Sequence, residues 1–256
     1  MSAGADVTDT GDRDRLHIKC HRGTADPTTD MHVSAEPTGD SNTPARRPAL
    51  RVLPAGTPRT NTVVLLLHGG KIASHEPARG HHLAYLRMVP VARGIHRAGA
   101  PAGAAVWLLR NRYRGWNEPV LDAVADARWA LEEISTRHPR AQIVLVGHSM
   151  GGRVALRVAD AERVTGVCAL APWIEDDEPI EHLADRSVLI VHGTADRMTS
   201  PTASAAFARR ACAVTPAVRN EVVAGSGHAM LRRRGRWDQL VQRFVGSLVP
   251  DREERR

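Results

Sequence analysis

The chain has 256 residues, 42% of them hydrophobic and 25% charged, proportions of a globular protein that exclude wholesale disorder. Lysine plus arginine outnumber aspartate plus glutamate, 35 to 28, for a net charge of +7. Only Lys19 and Lys71 are lysines, so the excess reads either as nucleic-acid or anionic-membrane binding or as arginine filling ordinary basic surface positions.

Residues 1–48 are rich in Asp, Thr, Gly, Pro and Ser and poor in large apolar residues. They read as a disordered N-terminal tail, a stretch that a start codon misassigned upstream of the true one would also produce. The first ten residues are polar and acidic, unlike a signal peptide. Leu50–Leu53 is a short edge strand, and it is the only strand expected before residue 62. Thr62–Leu67 is a continuous apolar run, the pattern of a strand covered on both faces; no run approaches the roughly 20 apolar residues that cross a bilayer. Residues 81–98 read as a helix with Leu83, Leu86, Val89 and Ile95 among its apolar positions and Pro90 as a point of interruption or kinking.

Ala104–Leu109 is the next strand. Val120–Ile134 is an amphipathic helix with Val120, Val124, Ala127, Leu131 and Ile134 on one stripe. Strands follow at Gln142–Val146, Val164–Leu170, Ser187–Val191 and Asn220–Val223, with helices at about 150–159, 202–214 and 236–249; residues 251–256 form a charged tail. Apolar strands alternating with helices predict an α/β fold: one doubly wound, mainly parallel sheet over residues 49–250. Cys20, Cys168 and Cys212 make neither a disulfide framework nor a CxxC metal pair. A soluble cytoplasmic protein is expected.

Gly147-His-Ser-Met-Gly-Gly152 directly follows a buried strand and directly precedes a helix, the context that a G-x-S-x-G nucleophile elbow requires. Ser149 then sits on a tight turn at a helix N-terminus, where free N–H groups favour developing negative charge. Its base is expected in Gly225-Ser-Gly-His-Ala-Met230, a glycine-rich loop after the last strand, which points to His228. An acid should lie on a loop between the two in sequence. Asp196, in Gly193-Thr-Ala-Asp196, fits at the same sheet edge; Asp176 and Asp177 compete. An oxyanion hole needs two backbone N–H donors: Met150 supplies one, and His68-Gly-Gly-Lys71 the other, with Gly70 preferred over Gly69 and Lys71. His68 reads as a structural histidine of that loop.

With these motifs in this order, residues 50–250 resemble the α/β-hydrolase superfamily of serine esterase, lipase and peptidase type. The resemblance implies a sheet of up to eight strands, a site at its C-terminal edge, and activation by the triad with neither metal nor cofactor. Only the stretch from Pro172 to Arg186 separates two strands where many members carry a cap, so the domain looks capless and its site open, which suits small or polar substrates. Trp116 and Trp173 follow strands at the active edge and are candidate substrate contacts, with plain packing as the other reading. The arginines at 110, 112 and 114 are read as binding an anionic substrate or solvating their loop.

The reading is a serine hydrolase, carboxylesterase-like, that cleaves an ester, thioester or amide through Ser149, Asp196 and His228 and an acyl-enzyme. An acyltransferase on the same triad and a non-catalytic, hydrolase-fold ligand-binding protein are the alternatives. The expected partner is a small-molecule substrate, with no nucleic acid and no membrane; oligomeric state is not legible.

Overall fold

A computed structural model describes residues 46–250 together with the strand segments Val7–Thr8 and Arg15–Ile18. In chain order the strands are β1 (Val7–Thr8), β2 (Arg15–Ile18), β3 (Ala49–Leu53), β4 (Thr62–Leu67), β5 (Ala104–Arg110), β6 (Gln142–His148), β7 (Val164–Leu170), β8 (Ser187–Gly193) and β9 (Val218–Val223). The helices are α1 (Leu83–Gly99), α2 (Asp122–Arg137), α3 (Met150–Arg157), α4 (Pro201–Ala211) and α5 (Arg234–Gly246). The sheet order is β1-β2-β9-β8-β7-β6-β4-β5-β3. Its middle, from β5 through β4, β6, β7 and β8 to β9, is parallel, while β3 runs antiparallel to β5 at one edge.

At the other edge β2 pairs antiparallel with β9, and β1 with β2. The stretch 1–48, expected to be a disordered tail, therefore contributes two strands. Short polar segments gain order from a template edge, which local composition does not reveal. The rest of that expectation, and the charged tail at 251–256, lie outside the described residues.

Every residue of β4 is buried, and its side chains alternate between two cores. Val63, Leu65 and Leu67 join α2, α3 and α4 on one face; Val64 and Leu66 join α1 and α5 on the other. Side chains of a strand point alternately to opposite faces, so an unbroken apolar run is what a sheet covered on both sides demands. Helix α1 runs through Pro90 and buries Tyr85, Met88, Val91, Ala92 and Ile95. Of the positions expected to be apolar contacts, Leu83 and Leu86 are exposed instead. Val120 also lies exposed, before the start of α2. Cys168 is a buried free thiol, and Cys212 is disulfide-bonded. The sequence reading did not foresee that bond, because pairing depends on which segments the fold brings together. Among the described residues no helix is long and apolar enough to cross a membrane.

The connection from β7 to β8, residues 171–186, holds one 3-10 turn (Glu181–Leu183) and no cap. Of its acidic run, Glu175, Asp176 and Asp177 are exposed and the fourth acid turns inward. Glu178 is fully buried and accepts hydrogen bonds from both Arg153 and Arg157 of α3, while Glu175 pairs with Arg153 at 2.6 Å. Arg210 of α4 donates to the Glu178 carbonyl oxygen at 2.9 Å. The loop is strapped to the helix that carries the elbow. Removing one partner of a buried pair leaves an uncompensated charge, at a cost of about 3 kcal/mol or more. Glu178→Gln is therefore expected to lower the unfolding free energy by about 3 kcal/mol in urea titrations; a loss below about 1 kcal/mol, the value of a surface pair, would contradict this role.

Candidate active site

The parallel strands β4, β6, β7, β8 and β9 end at one edge, and the candidate residues come from the loops that leave it. Ser149 is the single residue between β6 and α3 and has φ 57°, ψ −121°. The turn is possible because its flanks lack side chains. A Cβ on Gly147 would lie 2.0 Å from the Gly151 carbonyl oxygen, and one on Gly151 would lie 2.3 Å from that of Leu67. Any larger residue at either position would have to displace backbone.

Three residues distant in sequence meet here. His228 Nε2 lies 3.0 Å from Ser149 Oγ, and His228 Nδ1 lies 2.9 Å from Asp196 Oδ2. Asp176 and Asp177, the competing acids, are exposed and make no contact with His228 among the described residues. The Asp196 carboxylate is buried and heavily hydrogen-bonded. Oδ1 accepts from the Met198 and Thr199 amides at 2.8 and 3.1 Å, and Oδ2 faces the Thr199 hydroxyl at 3.0 Å as well as His228. Burial works to raise its pKa, but these donors outweigh it and hold the group below the ordinary carboxylate value. An ionised Asp196 fixes the His228 proton on Nδ1 and leaves the Nε2 lone pair toward Ser149.

Two further histidines brace this arrangement, and the sequence reading named neither. His192, at the end of β8, is buried, with Nε2 3.2 Å from Asp196 Oδ2 and Nδ1 2.8 Å from Ser204 Oγ. Burial lowers its pKa, which favours the neutral ring, and Nε2 also lies 3.2 Å from the Thr199 hydroxyl. His148, beside Ser149, is fully buried and donates from Nε2 to the His228 carbonyl oxygen at 2.9 Å; burial pushes its pKa down to about 3. The visible signal for His192 is only its position, four residues before Asp196 at a strand end.

The loop after β4 is fixed by His68, whose Nδ1 donates to the Gly69 carbonyl oxygen at 2.7 Å and whose Nε2 accepts from the Asn111 amide at 3.2 Å. Burial lowers the His68 pKa to about 4. This is the structural role expected of it. Residues 112–117 clamp the same loop through backbone bonds, among them Lys71 N to Arg114 O at 2.8 Å and Trp116 N to Lys71 O at 2.9 Å. The Lys71 amide is thereby engaged and drops out as an oxyanion donor. Gly70 packs directly against the Met150 side chain, with 2.5 Å between its Cβ position and Met150 Sδ. The Met150 amide, at the first position of α3, is one of those a helix leaves without an internal acceptor.

Trp116 is 1% exposed and offers a substrate no surface, whereas Trp173 is half-buried and its amide donates to Ser149 O at 3.2 Å. Both rings lie 4.4 Å from the guanidinium carbon of the buried Arg153 and meet each other edge to face, and a buried cation gains from such aromatic neighbours. The loop arginines divide: Arg112 pairs with Asp122 and Asp126 of α2, whereas Arg114 pairs with the exposed Glu76 beside the glycine loop.

A sequence model of the serine aminopeptidase S33 family matches residues 109–187. No curated protein matches the chain. Among solved structures, an α/β serine hydrolase homologue from Coxiella burnetii is 17% identical, with 77% of this chain and 91% of that chain covered and a TM-score of 0.59. A lid-less α/β serine hydrolase from Xanthomonas campestris is 19% identical over 79% of this chain and 90% of its own, with a TM-score of 0.60. Est1E from Butyrivibrio proteoclasticus, in a structure with bound ferulic acid, is 15% identical over 78% and 94%, with a TM-score of 0.59.

If His192 acts by holding Asp196, His192→Phe should lower kcat about tenfold, the value of one hydrogen bond to a charged group, at unchanged KM on any ester that is turned over. His192→Gln, which keeps an N–H donor, should restore most of it. Equal losses in both variants would mark His192 as packing only. The sheet, the elbow and the solved structures give the chain the α/β-hydrolase fold, and residues 109–187 resemble the serine aminopeptidase S33 family.

Proposed function

We propose that the chain is a serine hydrolase of carboxylesterase type, acting on an ester, thioester or amide. The observation that carries the reading is the unbroken relay from Asp196 through His228 to Ser149, at 2.9 and 3.0 Å, ending on a half-buried serine at a helix N-terminus. Ser149 Oγ attacks the carbonyl carbon while its proton passes to His228 Nε2. The oxyanion accepts hydrogen bonds from the Met150 and Gly70 amides. As the tetrahedral intermediate collapses, His228 returns the proton to the leaving atom. Water then attacks the acyl-Ser149 carbonyl, giving its proton to His228, and the acid is released as Ser149 Oγ recovers that proton. His192, Thr199 and the two loop amides keep Asp196 ionised throughout.

Steady-state hydrolysis of 4-nitrophenyl butyrate tests this. Ser149→Ala and His228→Ala are each expected to lower kcat by about six orders of magnitude, because members of such a unit fail together. Asp196→Asn should cost about four orders, through the wrong imidazole tautomer. Turnover by Ser149→Ala within tenfold of the unmodified protein would overturn the assignment.

A further inference from the structure

Two cavities lie beside the site, the first with a mainly apolar lining and the second with a mainly basic one. The first, about 330 Å³, lies between α1 and α5. Its inner wall is Leu170, Met230, Trp237 and Val241, Leu86 and Leu231 stand exposed at its mouth, and Arg87 and the Arg234–Asp238 pair complete the lining. It lies beside the site: its lining includes Leu170, whose carbonyl oxygen accepts the Ser149 amide at 3.0 Å, and Ala229 and Met230, which directly follow His228. Solvent-exposed leucines are uneconomical on a free surface, but at the rim of an apolar cavity beside a nucleophile they extend its wall.

The second cavity, about 340 Å³, begins at Gly69 and Gly70 and is lined by Lys71, Arg79, His81, His82 and Arg114. Glu76 is the acid that faces this group, pairing with Arg114 at 2.5 Å and Lys71 at 3.6 Å. Three permanent cations against one carboxylate leave a positive field, and Arg79 has no ion pair among the described residues. The field is visible at His82, whose pKa is lowered first by desolvation and then by Arg114, His81 and Arg79. Leu83 lines both cavities and forms the ridge between them.

We infer that the substrate is bipartite, with an apolar acyl arm in the α1–α5 cavity and an anionic alcohol or thiol arm in the cavity of Lys71, Arg79 and Arg114. This rests on the hydrolase reading and adds to it the class of substrate. The arms are assigned by the order of events. The acyl arm stays on Ser149 while water attacks, and the buried wall of the first cavity holds it. The leaving arm must depart, and Lys71 and Arg79 are exposed at the second cavity's mouth. Arginine is suited to such an anion because its planar fork binds a carboxylate or phosphate through two parallel bonds.

The test uses S-octanoyl-3-mercaptopropionate and its neutral amide, S-octanoyl-3-mercaptopropionamide, with thiol release as the readout. The unmodified protein should favour the anion at least about tenfold in kcat/KM, from one charge-assisted hydrogen bond. Arg79→Gln should bring the pair close to parity, whereas Arg209→Gln, on the exposed side of α4, should leave the ratio intact. Replacing octanoyl by acetyl should cost at least about tenfold through lost burial, and Leu86→Asp should erase much of that preference. Equal kcat/KM for anion and amide, or a ratio insensitive to Arg79→Gln, would overturn the anionic arm. Faster turnover of the reversed ester, with the carboxylate on the acyl side, would overturn the assignment of arms. Binding of the same two thioesters to Ser149→Ala separates the two claims. Preference for the anion there without turnover by the unmodified protein supports the inferred subsites and counts against the reaction; equal binding counts against the subsites.

Discussion

The backbone of Ser149 sits at φ 57°, ψ −121°, a sparsely populated region that costs on the order of 1–3 kcal/mol for a residue with a side chain. Such a conformation persists only where its surroundings impose it. Here β6 enters the turn buried in the middle of the sheet, and α3 leaves it packed against β6 and β7. Gly147 and Gly151 let helix and strand backbones approach to distances no Cβ would permit. The Ser149 amide is tied to Leu170 O, and its carbonyl accepts from Gly152, Arg153 and Trp173. The strain is thus stored in a turn whose every neighbour is fixed, and its return is a hydroxyl aimed out of the sheet at His228.

Charge is used in three distinct ways around that turn. Beneath it, Arg153 is buried against Trp116 and Trp173 and neutralised by Glu175 and Glu178, which straps the β7–β8 loop to the helix. Beside it, four hydrogen bonds and the nearby His192 ring surround the Asp196 carboxylate, so the one ionised group of the relay is solvated by protein rather than water. Beyond it, Lys71, Arg79 and Arg114 leave an uncompensated positive cavity next to the glycine loop. The basic excess of the composition therefore has no single meaning. Part of it is spent inside ion pairs of the scaffold, and part faces the site.

Ser149, Asp196 and His228 were legible in the sequence because each belongs to a short glycine-bearing motif at a strand end, and the βαβ pattern puts strand ends on one edge. The central parallel sheet was legible for a similar reason: its strands are unbroken apolar runs. What escaped depends on contacts far apart in the chain. His192 and Ser204 brace Asp196 only once β8 and α4 are docked. Nothing in the acidic run at 175–178 tells that Glu178 is the one buried against the arginines of α3. Leu83 and Leu86 share a helix with a buried stripe, and periodicity alone does not say that this end of α1 overhangs a cavity. Trp116 and Trp173 follow active-edge strands, yet their rings are taken by Arg153 from beneath. The strand at Arg15–Ile18 pairs with β9, a partner about 200 residues away in the chain, and Val7–Thr8 pairs in turn with Arg15–Ile18.

The account stands on a single activated serine. Treating the protein with a fluorophosphonate and locating the adduct by peptide mass spectrometry tests that claim most directly. One phosphonyl group per chain on the peptide containing Ser149, absent when His228 is replaced by alanine, is the predicted result. An adduct on another residue, or no adduct with the fold intact, would contradict it.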